Sequence, residues 1–184
     1  MTTFLKLKHW QLFILVIVIP LIFQFIRIGS ITSYDNYGTA LDNFPIIFIF
    51  GIGIYFNWLY SLGTNLYRKL PSNELLNIKA FKFFVFFPLF YFLLTSFFLF
   101  RTPSNEVPSI GMFAIMIPLQ FLALFSNFYS IYFTAKALKM VGHQKQCVFS
   151  EFAEEFFLIF FFPFGIWKIQ PKINKLFENT INNK

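Results

Sequence analysis

Four long apolar runs, at 10–26, 44–62, 83–100 and 110–133, dictate what this chain can become, and none contains Asp, Glu, Lys, Arg or His. Each is about 17 to 24 residues, or roughly 26 to 36 Å as helix at 1.5 Å per residue, matching a hydrocarbon core of ~30 Å. Membrane barrel strands would read as short segments of alternating polarity, which the sequence lacks. Only 12% of residues are charged and 57% are hydrophobic, against roughly 25% charged in ordinary soluble domains. So few polar residues cannot cover a globule of this length, and the apolar excess must face lipid. The expected fold is an all-α membrane protein with a four-helix transmembrane domain over 1–133.

The connections carry the expected punctuation. A basic start with Lys6, Lys8 and His9 precedes Trp10 at the first interface. No small-x-small cleavage pattern follows the run, where Phe25-Ile26-Arg27-Ile28 is bulky, so the sequence predicts an uncleaved first helix with Pro20 as a tolerated kink. Asp35-Asn36-Tyr37-Gly38 is a turn signal, and Pro45 opens the second run where a missing N–H costs least. Gly51 and Gly53 thin one side of that helix and offer a neighbour close approach. Pro88 and Pro118 lie inside the third and fourth runs.

Orientation follows from the basic residues of the connections: two in the N-terminal segment, one in 27–43, four in 63–82, one in 101–109 and three in 134–149. The heavier segments alternate, which places both termini on the cytoplasmic side of an inner membrane. The net charge of +7 is thereby a set of topology-setting flanks rather than a nucleic-acid patch. Cys147 is the single cysteine, so no disulfide is expected within the chain.

The C-terminal part is harder to place. Its uninterrupted apolar stretch, Phe156 to Trp167, would be ~18 Å as helix, too short to cross. Extending it would bury Glu154 and Glu155 or Lys168, at about 2.5 to 3.5 kcal/mol each at a helix centre. The expectation is a cytoplasmic linker over 134–149, an interfacial or re-entrant amphipathic helix over 150–175, and a polar tail over 176–184. Pro163 and Gly165 should bend that helix, and Gln170-Pro171 should stop it. Trp167, Lys168, Lys172 and Lys175 are its expected anchors to lipid, at about 1 kcal/mol per lysine near an anionic surface.

The two halves also resemble one another at a spacing of roughly 70 residues: Ile19-Pro20-Leu21 with Phe87-Pro88-Leu89, Asn57-Trp58 with Asn127-Phe128, Thr64 with Thr134, and Lys69 with Lys139. Such a tandem repeat of helical hairpins would make Asn57 and Asn127 equivalent groups facing one interface. With Gln24 and Gln120, they are polar residues within the runs, expected to pack helices or to line a pore.

Tyr129-Ser130-Ile131-Tyr132-Phe133-Thr134-Ala135-Lys136, Phe149-Ser150-Glu151-Phe152, Glu155-Phe156-Phe157-Leu158-Ile159 and Phe162-Pro163-Phe164-Gly165-Ile166-Trp167-Lys168-Ile169-Gln170-Pro171-Lys172-Ile173-Asn174 resemble a family of uncharacterised small polytopic integral membrane proteins of Bacteroidota. The resemblance covers about residues 127–175. It implies an inner-membrane protein and carries no catalytic residues with it.

His143, Cys147 and Glu151 are spaced i, i+4, i+8, and on one continuous helix would line one face, with Glu154 or Glu155 as a fourth metal ligand. Against that stand Gly142 before the set and no second histidine nearby. A polar linker leading into a helix with carboxylates at its positive end explains the same residues. No ionisable group sits in the central turns of the four runs, which argues against a coupled ion transporter. Phosphate loops, nucleophile elbows and zinc motifs are absent. The sequence thus points to a non-catalytic accessory, scaffold or membrane-organising subunit, without cofactor, whose partners are the bilayer and another membrane protein or a second copy. The alternatives are a small channel or uncoupled transporter of two hairpin repeats, and a membrane-surface enzyme or metal site at His143, Cys147 and Glu151.

Overall fold

The computed structural model describes residues 3–29, 44–70, 76–101 and 110–182, and all regular structure among them is helical. A short helix, α1 (Thr3–Lys6), precedes α2 (His9–Phe13), which runs through a π-helical segment (Ile14–Val18) into α3 (Ile19–Gly29). Then follow α4 (Phe44–Tyr67), α5 (Ile78–Arg101), α6 (Ile110–His143), α7 (Phe149–Phe160) and α8 (Phe162–Asn182). Among the described residues, three segments are long and apolar enough to cross a membrane: His9–Ile26, Ile78–Phe98 and Ile110–His143. In the apolar 18-residue window that marks each of them, at most 17% is buried inside the protein, so that apolar surface requires lipid around it. The helix Phe44–Tyr67 has 24 residues, about 36 Å.

Local chemistry explains the irregularities. Pro20 has no N–H to give the Val16 carbonyl four residues back, and just before it the helix widens, the Ile19 N–H reaching the Ile14 carbonyl. Gly51 packs against this stretch; a Cβ there would meet the Val16 carbonyl at 2.8 Å. The close approach expected of Gly51 is therefore real, whereas a Cβ on Gly53 would meet nothing. Asn77 starts α5 by accepting the backbone N–H groups of Lys79 and Ala80, each at 3.1 Å.

The core is concentrated at one end of the bundle. There the Phe81 ring lies on Gly63 and stacks on Phe133 at 4.3 Å. The last third of α6 is buried from Ser130 to Val141, apart from half-buried Tyr132, Lys136 and Lys139. Its earlier part, like the exposed Phe83, Phe90 and Phe121, faces outward. Ser126, Ser130 and Thr134 follow one line along α6, each hydroxyl donating to the carbonyl four residues back at 2.6 to 2.8 Å. That ladder satisfies three buried hydroxyls without any partner on another helix.

Several boundaries differ from those expected. Residues 134–143 are helix, not linker: nothing breaks α6 until Gln144, whose φ of 54° is left-handed. The connection shrinks to 144–148. The segment expected as one helix over 150–175 is two, separated at Phe161 (φ −88°, ψ 55°). Pro163 sits in the first turn of α8, where it costs little. Glu155 and Lys172 lie 3.2 Å apart, although 17 residues of continuous helix would hold them ~25 Å apart. The chain therefore doubles back as a hairpin. Gly165 makes the fold possible, because a Cβ there would overlap the Leu158 carbonyl. Pro171 does not stop α8, which continues to Asn182 through the stretch expected as a polar tail.

Candidate functional site

Two cavities organise the polar residues of the molecule. The first, of about 560 Å³, lies where the middles of the long helices meet: Ile17 and Pro20, Gly51 and Tyr55, Pro88 and Tyr91, and Gln120 and Asn127 all line it. Phe162 and Pro163 at the hairpin tip close one side. The tip reaches this level by stacking, with Phe160 on Phe128 at 5.4 Å. Leu21 and Leu124 line the cavity and are 45% and 47% exposed, so it opens sideways, through the helix surface. Its walls are mostly apolar. The exception that matters is Asn127, whose Oδ1 is buried and accepts no hydrogen bond. Burying an amide oxygen without a donor costs about 1 to 3 kcal/mol.

The sequence-level polar set is thus split. Asn127 and Gln120 line the cavity, while Asn57 is exposed and Gln24 is half-buried, and neither is part of the lining. Asn57 and Asn127 do not share an interface, as an exact repeat would require. The matched prolines fare better: Pro20 and Pro88 both face the cavity.

The second cavity, of about 590 Å³, lies at the end of the bundle that holds the core. Lys69, Lys139, Lys172 and Lys175 surround it, with His143 and Glu155. Glu155 is 3% exposed. One of its oxygens, Oε1, receives Lys172 at 3.2 Å and Lys139 at 3.5 Å, while Oε2 accepts nothing. The Lys69 ammonium donates to the Leu176 carbonyl at 3.4 Å and sits 3.9 Å over the Phe177 ring. Burial holds its pKa below the ordinary lysine value.

Of the expected lipid anchors, Lys168, Lys172 and Lys175 are all exposed, but Lys172 pairs with Glu155 and Lys175 lines this cavity. Trp167 packs on His9 at 4.7 Å and Phe13 at 5.7 Å, yet remains 48% exposed.

A buried clamp ties α8 to α1 and α4, and only the helical phase of Gln170 hints at it in the sequence. Ile166, Ile169 and Ile173 form the buried stripe of α8, and Gln170 occupies the remaining place in it. Gln170 Oε1 accepts the Trp58 indole N–H at 3.1 Å. Its amide donates to the carbonyls of Leu7 at 2.8 Å and Phe4 at 3.3 Å, and to Asn174 Oδ1 at 3.2 Å. Gln170 therefore fixes the hairpin to both α1 and α4.

The metal constellation is not assembled. His143 ends one helix, Gln144 turns the chain, and Glu151 begins the next, so the i, i+4, i+8 face does not exist. Among the described residues no three His, Cys, Asp or Glu side chains gather into a ligand set. Glu151 instead accepts the Val148 N–H at 3.0 Å and pairs with Lys145 at 3.2 Å. Those two donors, the backbone N–H first, hold its carboxyl below the usual range. Cys147 is buried, and that burial, with Glu151 beside it, pushes its thiol pKa up. Glu154 is exposed.

Comparison with protein families, with curated proteins and with solved structures finds nothing that matches this chain.

Proposed function

We propose that the chain is a four-span protein of a bacterial inner membrane that acts by binding rather than by catalysis, with a lipid-like amphiphile as its ligand. Phe44–Tyr67 supplies the fourth span, and both termini lie in the cytoplasm. The charge distribution supports that orientation: apart from Arg27 and Arg101, the basic residues within the described helices and their connections belong to the end that carries α1 and the base of the hairpin. The hairpin enters the membrane from this side and returns. Its tip is level with Phe128, 11 residues or about 16 Å along α6 from Lys139, half of a ~30 Å core. Exposed Phe157, Phe161 and Phe164 suit a tip surrounded by acyl chains.

The observation that carries the binding role is Asn127 Oδ1, buried without a donor at the wall of an apolar cavity that opens sideways. Acyl chains alone leave that oxygen unsatisfied. A long-chain molecule bearing a hydroxyl or N–H satisfies it and fills the apolar volume. This role fits an accessory or membrane-organising protein better than an enzyme. A photoactivatable long-chain alcohol in nanodiscs tests it. Labelling should concentrate on the cavity-lining part of α6, and fall several-fold in Asn127→Leu, which removes the acceptor, and in Ala123→Phe, which fills the space. Uniform labelling of all lipid-exposed segments, unchanged in both variants, refutes the proposal.

A further inference from the structure

The unsatisfied oxygen of Asn127 lies deep, and its depth restricts which amphiphile reaches it. Lys136, the nearest lysine of α6, is nine residues away, about 14 Å of helix. Ile110, where α6 begins, is 17 residues away in the other direction, about 26 Å. Tyr55, on the same cavity, stands halfway along the helix Phe44–Tyr67. The polar groups of an ordinary lipid sit at its end, at the membrane surface. To meet Asn127 Oδ1 they would have to sink into hydrocarbon and leave their water behind. A hydroxyl set along the chain itself arrives at that depth while the head stays at the surface. The sideways opening at Leu21 and Leu124 admits such a chain directly from the bilayer.

We propose that the cavity selects an acyl chain hydroxylated near its middle. This rests on the reading of the cavity as an amphiphile site and names the amphiphile's chemistry. Carbon–carbon bonds of ~1.5 Å advance about 1.3 Å each along an extended chain, so about 11 of them cover the ~14 Å between the nearer surface and Asn127. The hydroxyl proton goes to Asn127 Oδ1, the buried acceptor that lacks a donor. The lone pairs of the same hydroxyl are open to the Tyr55 phenol and the Gln120 amide, which line the cavity with it.

Competition against the photoactivatable long-chain alcohol, with the full chain in nanodiscs, tests the inference. Three competitors have the same length: octadecanoate, octadecanoate hydroxylated at carbon 2, and octadecanoate hydroxylated at carbon 12. Their carboxylates stay at headgroup level, so the position of the hydroxyl fixes its depth. The carbon-12 compound should displace the probe from the cavity-lining part of α6 about tenfold better than the other two, the factor for satisfying one buried acceptor. The same three chains esterified in phosphatidylcholine identify the carrier, and the carbon-12 preference in either form supports the assignment. In Asn127→Leu the order, read within the variant, should collapse to equality. Equal competition by the carbon-2 and carbon-12 compounds in wild type overturns the inference and leaves the binding role standing, and so does a carbon-12 preference that survives in Asn127→Leu. Probe labelling that is uniform over the lipid-exposed segments before any competitor is added overturns both.

Discussion

Replacing Gln170 by Leu tests how the hairpin is held. The substitution keeps side-chain volume close to the original in a fully buried site, so packing changes little. What changes is polar satisfaction. Trp58 is also fully buried, and its indole N–H loses its acceptor, at about 1 to 3 kcal/mol for an orphaned donor. The Phe4 carbonyl loses a donor at 3.3 Å, while the Leu7 carbonyl keeps only Asn174 at 3.4 Å. Adding about 0.5 to 1.5 kcal/mol for those bonds, we expect a total loss of about 2 to 4 kcal/mol. Side-chain hydrogen bonds between membrane helices average nearer ~0.6 kcal/mol. The larger figure holds here only because the donor is left dry. A double-mutant cycle with Trp58→Phe, read by circular dichroism during unfolding in mixed micelles, isolates this effect. In the Gln170→Leu background, removing the indole N–H relieves the orphan, so the pair should be coupled by about 1 to 2 kcal/mol. Additivity within ~0.5 kcal/mol would mean that water or another acceptor takes over, and the clamp would be decorative. Hydrogen exchange gives an independent reading, since α1 should loosen in Gln170→Leu.

Gly165→Ala should unfold the hairpin or cost more than about 2 kcal/mol, because its Cβ would overlap a backbone carbonyl. Gly53→Ala, with open space around it, should be neutral or gain up to about 1 kcal/mol; thermal midpoints of the two variants decide. Maleimide should label Cys147 slowly at pH 8 in the folded protein and fully in SDS, because burial keeps its thiol protonated; equal rates in both states would contradict the buried placement. Glu151 has a depressed pKa when folded, so its contribution is fully present above the unfolded value of ~4.3 and is lost as pH falls through the folded one. The midpoint difference between the wild type and Glu151→Gln should therefore be constant above about pH 5.5 and shrink below about pH 4. On a Cys147→Ser background, single cysteines at Ser33 and Ser104 should label from outside, and those at Ser72, Ser150 and Asn182 should not. Outside labelling at Asn182 would make the hairpin a pair of crossing helices.

The sequence declared the long helices clearly, because a run without charges has only one way to exist in lipid. Their ends were less legible. Residues 134–143 carry Lys136, Lys139 and His143, which read as a solvated connection, yet their small and apolar neighbours Ala135, Ala137, Leu138 and Met140 are buried in the main core. The periodicity was present and the charges masked it. The hairpin was half visible: Pro163 and Gly165 announced a bend, but a one-residue break at Phe161 and the intimacy of Gly165 with Leu158 depend on tertiary packing. Pro171 misled because its usual cost was offset by a buried stripe on both sides of it, Ile166 to Gln170 and Ile173. Of the candidate site, Asn127 and Gln120 stood out as polar residues in apolar helices. Nothing in the spacing distinguished Asn127 from Asn57. Glu155 stood out only as a carboxylate, and its two lysines, 16 and 17 residues away in opposite directions, could not be paired with it before the chain was seen to double back.

Gln170 also sets a timetable for the molecule's birth. The first membrane segment leaves the ribosome early, but the group that satisfies the Leu7 carbonyl lies 163 residues later. At about 5 to 20 residues per second, roughly 10 to 30 s separate the two. Throughout that interval the nascent amino end waits at the membrane surface with its last partner unmade, while the indole of Trp58 waits beside it. The final architecture cannot be locked by insertion of the spans in order. It is locked only once residue 170 has been made, when the hairpin folds in against helices already in place. A defect near residue 170 should then appear in the cell as instability of the whole chain, cleared by quality control, although every span has entered the bilayer.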